Sequence, residues 1–173
     1  HFSWQADAGT YESQKPRLPV ANATVATAHG QQVALNTQLK NLPTDQALPA
    51  NAYAADVPQD FARPLACERG MLADLSADTQ QPIAFPMALA LNLDSRVHDF
   101  TTDGRACGGS KGFAGKDYLT SMYPFYADAD SVYLILIGLR GEALTMNESG
   151  LVAGVYQPRG SQQAFGFVWN FAD

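Results

Sequence analysis

The chain is poor in charge and has no long apolar run. Only 16% of its 173 residues are charged, against roughly 25% in an average soluble domain. Its 17 acidic side chains outnumber 11 lysines and arginines, which gives a formal net charge of −6. This balance repels a phosphate backbone, so nucleic acid is not expected as a partner. No apolar run approaches the roughly 20 residues that cross a bilayer, so no membrane span is predicted.

Cysteine is scarce as well. The two cysteines are Cys67 and Cys107, and neither belongs to a Cys-x-x-Cys pair, which makes a metal site built on thiolates unfavourable. In an exported chain an isolated pair usually forms a disulfide, which contributes roughly 3–4 kcal/mol on the chain-entropy account. The alternative is a pair of buried thiols. We predict one Cys67–Cys107 disulfide.

Familiar catalytic motifs are missing. There is no Gly-x-Ser-x-Gly elbow, and the acidic side chains are scattered rather than paired. The glycine-rich stretch from Gly109 to Asp117 has five residues between its outer glycines where a phosphate-binding loop has four. Asp117 also stands where that loop places a metal-binding hydroxyl. Whether the chain is an enzyme stays open, with a non-catalytic role favoured.

The second half of the chain is rich in strand patterns. Residues 85–93 alternate between large apolar and small side chains, which predicts a strand with one apolar face. Residues 131–139 are apolar on both faces, as expected of a central strand. Two further strands are predicted at 151–157 and 164–171. The last of these carries a row of aromatic side chains, expected mainly in the core: Phe165, Phe167, Trp169 and Phe171.

The first half is less regular. Val20–His29 predicts a strand, and residues 33–39 fit either a strand or a short helix. Residues 41–64 form a proline-rich irregular excursion, and residues 105–115 a second, glycine-rich loop. No linker or repeat divides the chain. We therefore predict a single mainly β domain over residues 1–173, an antiparallel β-sandwich or partly closed barrel with long irregular loops.

The three histidines form the best chemical constellation. They are His1, His29 and His98. If His1 is a native amino terminus, a signal peptide has been removed, and its α-amine and imidazole can chelate one metal ion. Nitrogen ligands of this kind suit copper, with zinc second. His29 follows a predicted strand, and Asp99 is placed to orient the ring of its neighbour His98.

This histidine set resembles two families of secreted copper proteins. Copper oxygenases that cut polysaccharides begin with a histidine and take a second from within a β-sandwich, as His1 would with His29 or His98. The set is also similar to that of the copper(I)-binding proteins of methane-oxidising bacteria, in which two histidines and an oxidised tryptophan hold the metal. That resemblance implies a supporting role for Trp4, although the tryptophan expected two residues before a ligand is replaced by Thr27 and Arg96.

A different resemblance covers the carboxyl-terminal part. Residues 145–156 contain an Asn-Glu-Ser-Gly turn and a Val-Ala-Gly strand, and residues 164–169 form an aromatic strand. The two segments together resemble a single extracellular repeat of the His-Ala-Phe type, with Gln163 where that family has its histidine. The resemblance implies a β-hairpin and an extracellular setting.

Two functions are compatible with these features. The first is a secreted, cell-surface or periplasmic metal-binding protein with copper bound by His1, His29 and His98, in copper acquisition or storage. The second is a non-catalytic cell-surface interaction or adhesion module without metal, with a protein or glycan partner. The second function would use the 41–64 loop and the aromatic side chains Tyr118, Tyr123, Phe125 and Tyr126.

Overall fold

The computed structural model describes residues 2–5, 10–13, 20–40, 66–77, 79–91, 93–113, 120–135 and 139–171. The predicted excursion at 41–64 lies outside them. The described residues form thirteen strands and one short helix. The elements are β1 Phe2–Gln5, β2 Thr10–Ser13, β3 Val20–His29, β4 Gln32–Lys40, β5 Ala66–Asp74, β6 Thr79–Pro82, α1 Pro86–Leu91, β7 Ser95–Phe100, β8 Ala106–Ser110, β9 Tyr123–Ala127, β10 Val132–Leu134, β11 Arg140–Met146, β12 Leu151–Gln157 and β13 Phe165–Asn170.

The strands are arranged in antiparallel sheets. Strands β3-β4-β5-β6 make the first sheet, β10-β9-β8-β7 the central sheet and β11-β12-β13 the third sheet, while β1 and β2 pair as a ribbon. Among the described strands none of these sheets closes on itself. The prediction of a mainly β, antiparallel chain is therefore confirmed, and the open sheets fit a layered sandwich rather than a barrel.

The first core lies between the first and the central sheet. Alternate residues of β9, Tyr123, Phe125 and Ala127, point into it and are at most 6% exposed. From the first sheet, Ala34 enters the same cluster. Burying one large apolar side chain of this kind contributes roughly 1.5–3 kcal/mol, so this cluster is a main source of stability.

The second core lies between the central and the third sheet. It joins Cys107 and Tyr126 of the central sheet to Ala143 and Val152 of the third, with Trp169 packed against it. Because the central sheet carries a core on each face, every residue of its two inner strands β8 and β9 is buried. The chain thus stacks three β layers.

Side chains of the first sheet cover part of the backbone of β7, which lies at the edge of the central sheet. Asn36 accepts from the Val97 N–H at 2.8 Å and donates to the Val97 carbonyl at 2.9 Å. Thr27 donates to the His98 carbonyl at 3.0 Å. These bonds satisfy polar groups at a strand edge and fix the first sheet against the central one.

The predicted strand over residues 85–93 is wrong. Residues 86–91 form helix α1 instead, beginning at Pro86. Proline suits the first turn of a helix because its missing N–H has no helical partner there, and alanine and leucine are strong helix formers. Ala88 is fully buried against Ala84 and Leu93. The alternation that predicted a strand was one of side-chain size, and it did not separate an apolar face from a polar one.

The loop and central strand predicted in the second half are also wrong. Residues 106–110, expected in a glycine-rich loop, form β8 in the middle of the central sheet. Within the 131–139 segment, only Val132–Leu134 is described as a strand, and β10 lies at the edge of that sheet with Tyr133 36% exposed. Strands β12 and β13, by contrast, form the predicted hairpin, with Val152 opposite Trp169.

The predicted disulfide is absent. Cys67 and Cys107 are both free and buried. Cys67 belongs to the first sheet and contacts Arg69 at 3.6 Å, whereas the Cys107 thiol points into the second core and donates to the Ala143 carbonyl at 3.8 Å. A disulfide needs Cα atoms within about 7 Å, and the two cysteines occupy different layers of the stack.

The aromatic side chains predicted as a recognition surface are core instead. Tyr123, Phe125 and Tyr126 are each no more than 6% exposed. Tyr118 lies outside the described residues. No helix in the described part of the chain is long and apolar enough to cross a membrane.

Candidate functional site

One polar network joins strands of all three sheets. Arg96 of β7 donates from Nε to Oε2 of Glu68 in β5 at 2.6 Å, and its Nη1 contacts Oε1 of Glu142 in β11 at 3.4 Å. His98 Nε2 lies 2.5 Å from Oε2 of Glu142. The network therefore joins one strand from each sheet, with Glu142 between the two basic side chains.

Two bulges shape this junction. In the pairing of β7 with β8, the register shifts between Val97 and Asp99, so His98 has no partner in β8. In the pairing of β11 with β12, the register shifts between Ala143 and Thr145. A bulge adds one residue to a strand, bends it and redirects the side chain. Both strands that supply the His98–Glu142 contact thus depart from regular pairing beside it.

The electrostatics of the junction favour an ionised Glu142. The hydrogen bond from His98 lowers its pKa, burial opposes this shift, and the charge of Arg96 adds to the lowering, so the net pKa lies below the ordinary 4.5. The hydrogen bond to Glu68 raises the pKa of Arg96. Glu142 is therefore an anion at neutral pH, held by hydrogen bonding rather than free for proton transfer.

A second ion pair, between Lys111 and Asp94, holds the backbone of Glu68 in the same region. Lys111 lies 2.6 Å from Oδ2 of Asp94, and Oδ1 of Asp94 accepts from the Glu68 N–H at 2.9 Å. Burial raises the pKa of Asp94, but the hydrogen bonds from Lys111 and Glu68 outweigh it and the net pKa is lowered. Asp94 thus ties the loop before β7 to β5 and holds Glu68 in position.

Glu142 also faces solvent, along one wall of a groove of about 580 Å³. The carboxylate side chain is 22% exposed. The groove runs between the segment before β9 and the strands β11 and β12. Besides Glu142, its described walls include Ser121, Met122, Leu144, Tyr156 and Gln157. The mixture of hydroxyl, amide, carboxylate and aromatic groups is that of a site for a polar organic ligand.

The structure does not bring the predicted metal ligands into one described cluster. His98 holds Glu142, whereas His29 Nε2 lies 3.1 Å from the Phe100 carbonyl and its ring meets the Phe100 ring edge-on at 4.8 Å. Within the described ranges, no group of three or more metal-ligating side chains occurs. His1 lies outside those ranges. The three-histidine copper site, with zinc as the alternative metal, therefore stays a prediction.

The two residues predicted to support the metal site are Asp99 and Trp4. Asp99 was expected to orient the ring of His98. Its Oδ2 instead accepts from the Thr145 hydroxyl at 2.8 Å and from the Met146 N–H at 2.9 Å, so it anchors β11 to β7. Trp4 belongs to strand β1. Its role in a metal site stays a prediction.

Neither thiol is suited to nucleophilic chemistry. Burial raises the pKa of Cys107 to about 12, and the charge of Asp99 adds to this effect. Burial also raises the pKa of Cys67, despite the nearby positive charge of Arg69. Because the thiolate is the reactive form, both cysteines are neutral and unreactive near pH 7.

A second cavity, of about 380 Å³, lies between the first and the central sheet and is lined by three aspartates. Each carboxylate is engaged in its own turn. Asp74 accepts from Ser76, Asp103 accepts from Arg105 at 2.9 Å, and Asp128 accepts from the Asp130 N–H at 2.9 Å. The three aspartates hold loops rather than converging on a ligand, so the groove beside Glu142 is the better candidate site.

Comparison with known proteins adds no relative. No family model, no curated protein and no solved structure matches the chain. Sequence reasoning selected His98 but missed Glu68, Arg96 and Glu142. The only local sequence signal for this network is Arg96, which stands two residues before His98. Glu142 lies 44 residues beyond His98 in the chain, so no local pattern links the two.

Proposed function

We propose that this chain is a non-catalytic interaction module of an exported or cell-surface protein, and that it recognises its ligand in the groove beside Glu142. The observation that carries the proposal is that an anchored, ionised carboxylate lines an open groove whose walls also include Tyr156 and Gln157. His98 and Arg96 hold Glu142 in one position, and fixed polar groups on rigid strands give a binding site its specificity.

The groove is suited to a neutral polyhydroxylated ligand, that is, a short saccharide segment. Hydroxyl groups need fixed acceptors and donors, and Glu142 and Gln157 supply carboxylate and amide groups. Tyr156 adds an aromatic ring with a polar tip, against which an apolar sugar face packs. Arg140 also lines the groove, so its described wall carries one cationic and one anionic side chain and does not select for a cationic ligand.

The same geometry opposes a catalytic role. Glu142 is the only carboxylate among the described residues of the groove wall, whereas glycoside hydrolysis generally uses two. Its lowered pKa is the reverse of what a general acid needs near neutral pH. We therefore expect binding without turnover.

The test is a binding titration with neutral oligosaccharides of two to six units. Binding is measured by isothermal titration calorimetry and by ligand-observed NMR. We expect Glu142→Gln to weaken binding at least tenfold, which is about 1.4 kcal/mol. The matched control is Glu68→Gln, which removes the other carboxylate on Arg96 without altering the groove wall. An equal loss in both variants, or no binding by the unaltered chain, would contradict the proposal.

Copper binding is the competing function. It needs His1, His29 and His98 on one ion, with His98 binding through Nδ1 while its Nε2 stays on Glu142. Intact mass together with elemental analysis, on protein purified from its own host without a tag, decides between the two. One copper per chain, lost in both His29→Ala and His98→Ala, would establish the metal site and replace the interaction module as the proposed function.

A further inference from the structure

Arg69 of β5 is a buried arginine whose hydrogen bonding is incomplete. The residue is only 2% exposed. Its Nη2 lies 3.4 Å from the Ala88 carbonyl of α1 and 3.6 Å from Sγ of Cys67, whose raised pKa keeps it a neutral thiol. Its Nη1 is buried too, and no described residue accepts a hydrogen bond from it. Because a guanidinium stays protonated, Arg69 carries its charge almost entirely out of contact with solvent.

Thr37 of β4 adds a second unpartnered group beside Arg69. The register places the two residues directly opposite each other, so their side chains lie on the same face of the first sheet. Thr37 is also 2% exposed, and its Oγ1 has no hydrogen-bond partner within the described part of the chain. The two buried polar side chains that lack a partner there are therefore neighbours.

The described carboxylate whose charge acts on Arg69 is already engaged. Burial lowers the pKa of Arg69, and the charge of Asp94 only partly opposes this shift. Oδ2 of Asp94 lies 2.6 Å from Lys111, and its Oδ1 accepts from the Glu68 N–H at 2.9 Å. A buried charge is normally both paired and hydrogen-bonded, because otherwise its lost solvation is not replaced. Arg69 therefore needs an anionic acceptor that Asp94 does not supply.

We propose that Arg69 and Thr37 form an internal binding site for one carboxylate group. The Nη1 group and the threonine hydroxyl are both donors, and an ionised carboxylate has two oxygens that only accept. One oxygen bonds to each donor, which satisfies both groups and places a negative charge against the guanidinium. A water molecule would satisfy the hydrogen bonds but leave the charge unpaired. The site uses no residue of the groove wall beside Glu142.

The carboxylate has two sources with the same chemistry. One is a small free carboxylate such as formate. The other is the chain itself, because the strands that carry Thr37 and Arg69 are joined by residues 41–65, which contain Asp45, Asp56 and Asp60. Only the first source makes stability depend on added formate, and only the second couples Arg69 to one particular aspartate.

The first arm of the experiment measures the thermal midpoint of the full chain in sodium formate up to about 0.2 M, with sodium chloride holding the ionic strength constant. If the carboxylate is free, the midpoint rises with formate and then levels off, because formate binds only the folded state. Thr37→Val removes the hydroxyl with little change in shape and should weaken formate binding about fivefold. Thr37→Ser should retain the binding, and Arg69→Met should abolish it.

The second arm places three single changes in the unaltered chain and in Arg69→Met: Asp45→Asn, Asp56→Asn and Asp60→Asn. If the chain supplies the carboxylate, one of them should lower the midpoint of the unaltered chain and have little further effect in Arg69→Met, while formate has none. Should Arg69→Met fail to fold, Thr37→Val provides the same comparison.

Two results would overturn the proposal. The first is a thermal midpoint that depends neither on formate nor on any of the three aspartates, in which case water satisfies the buried donors. The second is a formate effect that Thr37→Val and Arg69→Met leave unchanged, which would place formate elsewhere on the chain. Neither arm uses a saccharide, so both results leave the groove proposal untouched.

Discussion

Strand β8 lies in the middle of the central sheet, and β13 lies at the edge of the third. β8 consists of small residues, including Gly108 and Gly109, and all five of its positions are buried. β13 is rich in aromatic and β-branched side chains, yet Phe165 is 40% exposed and Val168 69%. The difference teaches that burial in this protein follows a strand's place in the stack of layers, and that small residues occupy the place where layers approach most closely.

Of the two glycines of β8, Gly109 allows the close approach of the third sheet, whereas Gly108 makes room for the neighbouring strands β7 and β9 of its own sheet. A Cβ atom at Gly108 would overlap the Arg96 carbonyl oxygen and lie 3.0 Å from the ring of Phe125. A Cβ at Gly109 would lie 2.8 Å from Cγ of Glu142. In β13, a Cβ at Gly166 would meet only the Gly154 carbonyl oxygen at 3.9 Å. One strand therefore needs its glycines for packing and the other does not.

The largest expected loss of stability comes from adding a methyl group to the central strand β8. Gly108→Ala forces the backbone of β7 away from β8 and should cost more than about 4 kcal/mol, enough to prevent folding of a marginally stable domain. The same change at Gly166 enters open space and should alter stability by less than about 1 kcal/mol. Soluble yield and urea unfolding of the two variants measure this. Equal stability of both would show that β8 is not tightly packed.

The next largest difference in stability should come from truncating one aromatic side chain in the inner strand β9 and one in the edge strand β13. Phe125 is fully buried in the first core, so Phe125→Ala should cost about 3–5 kcal/mol. Phe165→Ala removes a ring that is 40% exposed and should cost about 1 kcal/mol, because less apolar surface is lost from the core. The free energy of unfolding in urea provides the comparison. A cost at Phe165 as large as that at Phe125 would contradict the layered arrangement.

The polar junction should contribute less, and in a pH-dependent way. Glu142→Ala removes charged hydrogen bonds to His98 and Arg96 and should cost about 1.5–3 kcal/mol at pH 7. Because the folded pKa of Glu142 lies below 4.5, its contribution is present above that pH and is lost as the pH falls through the folded value.

Thermal unfolding between pH 7 and pH 3 tests this sign. The unaltered chain should lose stability more steeply on the acid side than Glu142→Gln does. The lowered pKa of Asp94 acts in both proteins and therefore cancels in the comparison. Parallel curves for the two proteins would remove Glu142 as the source of the dependence.

The smallest expected effect is that of a reductant, which should be none. Cys67 is 2% exposed and Cys107 is fully buried, and both thiols are free. A thiol reagent should therefore label neither cysteine in the native chain near pH 7 and both in denaturant, and dithiothreitol should leave the thermal midpoint unchanged. A thermal midpoint that falls on reduction would show that the predicted disulfide forms.

Local signals in the sequence predicted two strands of the third sheet, β12 and β13, but not β11. The β13 strand follows from its alternating aromatic residues, the hairpin from the resemblance to an extracellular repeat, and the turn before it from the residues Asn147 to Gly150. Asn147 Oδ1 accepts from the Ser149 and Leu151 N–H groups, and Gly150 has a φ of +87°, which glycine adopts without strain. These features arise within a few residues of chain, so sequence patterns report them directly.

The same local rules failed at the centre of the molecule. Glycines predicted a loop where β8 is buried, and alternation of large and small apolar residues predicted a strand where α1 forms. At the candidate site, the choice of His98 depended on its type, while Glu142 carried no signal because nothing near it in the chain marks it as a partner. The strands that bring them together are separated by β8, β9 and β10 in sequence.

The sequence by itself determined the mainly β class, the β3, β12 and β13 strands, the turns around the last hairpin and the presence of very few titratable side chains, while it left β4 open between a strand and a helix. Only the tertiary structure decided that β8 is central, that the two thiols stay apart and that Arg96 and His98 hold Glu142 at a groove. The physical reason is the distance along the chain over which each interaction acts. Dihedral preferences and alternation act over a few residues, whereas burial and ion pairing depend on which distant strands the stacking of layers brings into contact.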